Sequence, residues 1–115
     1  ILTVAVYSEI DKESLHVSMA DEAIMIGPAA AIESYLSINK IVQACKESGA
    51  DSVHPGYGFL SENSEFANQC AQNGIEFIGP SQSLLALFGD KAQARKAAIE
   101  AEVPIVRGKV IEALF

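Results

Sequence analysis

The chain has 115 residues, half of them hydrophobic and a fifth charged, which suits a globular domain with a real core or a piece of a larger enzyme. Eight Lys and Arg stand against 15 Asp and Glu, a formal charge of −7, so neither a nucleic-acid backbone nor an anionic membrane fits as partner. No run approaches the ~18 apolar residues of a membrane span, and no signal peptide opens the chain. In chain order, Thr3 to Ser8 (TVAVYS) is short, apolar and β-branched, as expected of a strand buried on both faces. A polar stretch follows, with a short helical turn expected around Glu13 to Met19. Ala23 to Ile26 reads as a second strand, stopped by Gly27-Pro28, and a loop runs through Tyr35.

Ile38, Ile41, Val42 and Cys45 share one face of a helix expected to end at Gly49 in a left-handed cap. Asp51 to His54 is a brief third strand. Phe66, Ala67, Cys70 and Ala71 give the next helix its buried stripe, closed by Asn73-Gly74. Ile75 to Ile78 is a fourth strand, after which Ser81 caps a helix that turns Leu84, Leu85, Leu87 and Phe88 inward. Asp90 caps a last helix, with Arg95, Lys96 and Glu100 on its exposed face, ending by Val103 because of Pro104. Cys45 and Cys70 form no CxxC pair and fall on helix faces, where a free thiol packs as a small hydrophobe. Alternating strands and helices imply a parallel sheet covered by helices, with ligands at the carboxyl ends of the strands.

The third strand ends in HPGYGFLSEN, His54 to Asn63, which carries the most chemistry of any segment here. Gly56 and Gly58 admit backbone conformations and close approaches that a Cβ would block, while Pro55 holds His54 extended. Tyr57 reads either as a pocket residue or as a half-buried loop aromatic. Glu62 reads either as a site acid or as an acid answering the following helix dipole. His54 reads as an imidazole bonded to backbone that fixes the loop, ahead of a general base. His16 reads as surface, and the adjacent Asp21-Glu22 pair as a solvated turn, too few ligands for a metal. On its own, Lys91 reads as a solvated lysine.

The succession VAVYSEIDKESLHVSMADEAIMIGP, SYLS, HPGYGFLSEN, FIGPS and GDK resembles the N-terminal domain of biotin carboxylase. The likeness spans Thr3 to about Gly108, and the wording around Tyr7 to Pro28 and Ser34 to Ser37 is most similar to the biotin-bearing subunits of 3-methylcrotonyl-CoA carboxylases. It implies an α/β fold: a parallel sheet with helices on both faces, a Rossmann-like pre-ATP-grasp domain that lacks its first strand-helix unit. Residues 1–108 are then a partial biotin carboxylase N-terminal domain. Residues 109–115 read as an out-of-context tail from a later part of a longer chain.

The family resemblance further implies a ligase that phosphorylates bicarbonate with ATP and carboxylates biotin at N1′. Lys91 matches the lysine that contacts ATP, beside free N–H groups of a helix start. Tyr57 and Gly58 match the biotin pocket, Glu62 the catalytic acid, and His54 a loop-positioning residue. Mg2+ or Mn2+ would be bound by residues outside this chain. Implied partners are bicarbonate, a biotinyl carrier domain and a carboxyltransferase subunit or domain, in a large oligomer. The compartment would be the mitochondrial matrix in a eukaryote or the cytoplasm in a bacterium. Alternatives are another biotin-dependent carboxylase (propionyl-CoA, acetyl-CoA or pyruvate), a carbamoyl-phosphate type of ligase, or a non-catalytic nucleotide-fold scaffold.

Overall fold

Strand β1, Val4–Ser8, opens the fold and pairs in parallel with β2, Glu22–Gly27, in a computed structural model that describes residues 1–108. The residues assigned to an out-of-context tail, 109–115, lie outside the described residues. The register runs from Val4 opposite Glu22 to Tyr7 opposite Met25, then slips so that Ser8 faces Gly27. Expected to be buried on both faces, β1 is instead half-buried from Val4 to Tyr7, and only Ser8 is sealed off. A single-turn helix, Glu9–Asp11, and a short helix α1, Leu15–Met19, lead from β1 to β2.

Helix α2, Ile38–Ser48, forms where the sequence supplies both ends. Ser37 accepts the Lys40 N–H, and Gly49 stops the helix at φ 69°, the left-handed region a glycine enters without strain. Its buried face is Ile41, Val42, Ala44 and Cys45. Strand β3, Ser52–Val53, pairs in parallel with β4, Glu76–Phe77, across helix α3, Ser64–Gln72. Phe66 and Cys70 of α3 are fully enclosed, and Phe66 meets Phe77 edge-on at 5.8 Å. Burying a phenylalanine this completely contributes on the order of 2–3 kcal/mol. Ala71, expected in the buried stripe, is exposed, since one apolar residue more than the helix face can hold must turn outward.

The sheet departs from expectation in its continuity. Two separate two-stranded parallel ladders form, β1 with β2 and β3 with β4. One core joins them, made by Ile26 of β2, the α2 face, Leu60, Phe66, Cys70 and Ile75. Helices α4, Gln82–Gly89, and α5, Lys91–Glu100, follow, capped by Ser81 and Asp90. Of the four α4 residues expected to point inward only Leu85 is buried, while Leu84 and Phe88 are exposed. Arg95, assigned to an open face, is half-buried and donates to the Val106 carbonyl. No helix among the described residues is long and apolar enough to cross a membrane.

Candidate functional site

The loop from His54 to Asn63 leaves the carboxyl end of β3 and is fastened at three points. The Gly56 N–H donates to His54 Nδ1 at 3.0 Å, closing the first turn on the imidazole. Leu60, 4% exposed, inserts into the core. Asn63 accepts the Phe66 N–H at 2.9 Å and caps α3. Between these points the Ser61 N–H reaches back to the Gly58 carbonyl at 2.8 Å.

Gly56 and Gly58 adopt φ 68° and 72°, and a Cβ at either would meet no atom within 4 Å. The glycines are therefore required by conformation rather than by crowding within the chain. The conformational reason expected for them holds, and the space above their backbone is open. Phe59 also takes a positive φ of 41°, unusual for a residue with a Cβ. Tyr57 between the glycines is 94% exposed, so it is not the half-buried loop aromatic of the alternative reading. An exposed phenol thus stands beside unobstructed glycine backbone.

Glu62 lies one residue ahead of the α3 cap, outside the first helical turn, where Glu65 instead answers the dipole. With Ser61 it forms one side of an open groove of about 310 Å³. Pro80, Leu84, Leu85, Phe88 and Gly89 form the rest. The partly apolar face of α4 thus lines the groove, which explains why Leu84 and Phe88 were not drawn into the core. Tyr57 and Gly58 stand outside this lining, on exposed backbone further along the loop.

Lys91 is the first residue of α5 and is exposed, two positions after groove residue Gly89. The helix start is less open to an anion than expected. Asp90 already accepts the Ala92 and Gln93 N–H groups at 3.0 and 3.2 Å, so attraction of phosphate falls to the Lys91 ammonium itself. The structure thus brings Glu62 and the approach to Lys91 to one groove and places Tyr57, Gly58 and His54 on the loop leading into it. His16 is exposed, with Nε2 3.1 Å from the Val6 carbonyl. Asp21 accepts from the Thr3 backbone and hydroxyl rather than standing free, and no metal-binding cluster occurs among the described residues.

A polar cluster at the carboxyl end of β1 had no sequence signature. Tyr35 donates to Asp11 Oδ2 at 2.6 Å and accepts the Ser8 N–H at 2.8 Å, while Ser8 Oγ donates to Asp11 at 2.9 Å. The bonds from Tyr35 and then Ser8 lower the Asp11 pKa. Burial, then the bond to Asp11, raises that of Tyr35.

Residues 1–85 match the family model described as biotin carboxylase, N-terminal domain. Over 106 residues, 92% of the chain, it is 58% identical to the mitochondrial methylcrotonoyl-CoA carboxylase subunit alpha of Dictyostelium discoideum. Over the same length it is 52% identical to biotin carboxylase 1 of Bacillus subtilis. The chain spans 15% of the first of these relatives and 24% of the second. The solved biotin carboxylase domain of a single-chain bacterial carboxylase superposes with a TM-score of 0.90 at 44% identity, over 98% of this chain and 26% of that one.

Proposed function

This chain belongs to the biotin carboxylase N-terminal domain family, and on that premise we propose that it forms one wall of the site where a longer polypeptide carboxylates biotin with ATP and bicarbonate. The observation that carries the reading is the groove in which Glu62, from the glycine loop, faces Gly89, at the approach to Lys91. A site that joins two substrates needs a phosphate contact and a cofactor contact near each other; Lys91 follows groove residue Gly89 by two positions, and Tyr57 and Gly58 belong to the loop that carries groove residue Glu62. Biotin supplies the ureido nitrogen that takes up the carboxyl group.

The chain's own residues do the positioning. The Lys91 ammonium balances phosphate charge, while Asp90 holds the first turn of α5 in place behind it. Tyr57 presents an exposed aromatic ring, and Gly58, next to it, leaves backbone uncovered. Glu62 orients polar groups at the groove, and His54 fixes the loop through Gly56. Mg2+ or Mn2+ is assigned to residues beyond this chain, as are the biotinyl carrier, the carboxyltransferase and the contacts of a large oligomer.

Among biotin-dependent enzymes, the methylcrotonyl-CoA type is the narrower assignment, favoured by the Dictyostelium likeness. It carries the mitochondrial matrix with it for a eukaryotic source, and the cytoplasm for a bacterial one. The test is ATP hydrolysis by the intact polypeptide. Hydrolysis should depend on bicarbonate and on biotin. Removing the Lys91 contact in Lys91→Ala should lower kcat/KM for ATP by about ten- to hundredfold, the range for a hydrogen bond to a charged group. Glu62→Ala should lower biotin carboxylation. Hydrolysis indifferent to bicarbonate and biotin, with both variants at wild-type rates, would favour a scaffold instead.

A further inference from the structure

The glycine loop is tied to the core through Leu60 and to itself through His54 and through the Ser61 N–H, which donates to the Gly58 carbonyl; these internal bonds do not fix the Tyr57–Gly58 segment to the first ladder. A contact of Phe59 does reach that ladder's side of the fold. The ring of Phe59 packs on the ring of Tyr35 with centroids 5.1 Å apart and planes tilted by 40°. Phe59 is otherwise 60% exposed and sits at a positive φ, a conformation that persists only when its surroundings enforce it.

Tyr35 is itself immobilised at its far end. Its hydroxyl lies between the Ser8 N–H and the Asp11 carboxylate, and Ser8 Oγ closes the triangle. Ser8 is fully buried and ends β1, so this anchor belongs to the first ladder, while the loop springs from β3 of the second. No ladder hydrogen bonds connect the two sheets. The Tyr35–Phe59 contact therefore spans a junction that the backbone leaves unbonded.

We propose that Asp11, Ser8 and Tyr35 form a clamp that, through Phe59, positions the Tyr57–Gly58 segment for its ligand. Tyr35 is a positioning residue in this scheme and touches no substrate. The inference deepens the functional reading above and rests on it for the identity of the ligand, though the clamp itself is a property of the chain. Losing the hydroxyl leaves the ring free to tilt. Losing the ring removes the support of Phe59 altogether.

The test uses the intact polypeptide with Tyr35→Phe and Tyr35→Ala, read in two ways. Limited chymotrypsin digestion, mapped by mass spectrometry, should cut after Tyr57 and Phe59 faster in both variants, more so in Tyr35→Ala. Steady-state kinetics should show the KM for biotin raised by about tenfold in Tyr35→Phe, the loss expected for one charge-assisted bond, with the KM for ATP within twofold of wild type. A general loss of structure would instead scatter the cuts along the chain and depress turnover with both substrates alike, and either result overturns the clamp. So would wild-type digestion and biotin KM in both variants. If Tyr35→Ala does not fold, Asp11→Asn, which preserves the packing, decides with Tyr35→Phe. A wild-type polypeptide that carboxylates no biotin would refute the functional reading, while the digestion pattern still decides the clamp.

Discussion

Tyr35 accepts the Ser8 N–H and donates to Asp11; the bond to Asp11 lowers the carboxyl's pKa and adds to the effect of burial in raising that of the phenol. The Asp11 carboxyl is held below its usual 3.8 by the Tyr35 bond first, then by Ser8, with the His16 charge adding to them. Its contribution to stability is therefore complete above 3.8 and is lost as pH falls through the lowered folded value. Tyr35 is raised above its usual 10.0, by burial and by Asp11, so its contribution is complete below 10.0 and lost as pH rises through the higher folded value. Urea unfolding of wild type and Tyr35→Phe should thus differ by a constant amount from about pH 5 to about pH 9, and the difference should shrink outside that window, without vanishing in acid, where the Ser8 N–H bond to Tyr35 remains. A difference that ignores pH would contradict this. Cys70 sits at the opposite pole, pushed up to about 11 by burial with Cys45 adding to it, an inert core thiol as its helix position suggested. That residue was legible because burial follows from local periodicity. Asp11 and Tyr35 were not, because 24 residues separate them and no spacing rule joins a polar turn to a distant loop tyrosine.

Helices were legible where both ends carry local chemistry. Ser81 and Asp90 each accept a backbone N–H from the turn they open, and Gly49 ends α2 in the left-handed region, all as expected, while Ser37 caps α2 without having been singled out in the sequence. Asn63 is the cap that matters most for function, since it fixes the start of α3 immediately after Glu62. Replacing it with alanine removes the acceptor for the Phe66 N–H, and Asn63→Ala should lower the unfolding free energy by about 1 kcal/mol in chemical denaturation. An unchanged midpoint would show that the cap is dispensable. Face assignment was weaker than boundary assignment. In α4, five apolar residues fall at five consecutive positions, so the pattern selects no single face; the structure buries Leu85 and leaves Leu84 and Phe88 exposed, all three lining the groove. Strand pairing was weaker still. β3 and β4 are two residues each, and sequence alternation cannot say whether such short strands join a neighbouring ladder.

At the scale of the molecule, two small ladders share one core, and the proposed site residues lie on the second ladder's loops and the helices after it. The apolar residues Leu84, Phe88, Ile99 and Val103 remain exposed along α4, α5 and the segment beyond. The proposed role of such a wall is to hold Tyr57, Glu62 and Lys91 in fixed relation; its family membership was readable from the glycine loop and its flanking motifs. The loop's residue types were readable because glycine, aromatic and acid sit within nine residues of His54. Its support was not, because that depends on packing between separate ladders. The most direct measurement is a crystal structure of the intact polypeptide with biotin and a non-hydrolysable ATP analogue. Biotin density against the Tyr57 ring and the Gly58 backbone, with phosphate oxygens in hydrogen-bond reach of Lys91, is the predicted result; both ligands bound elsewhere, with Tyr57 and Lys91 still bare, would contradict it.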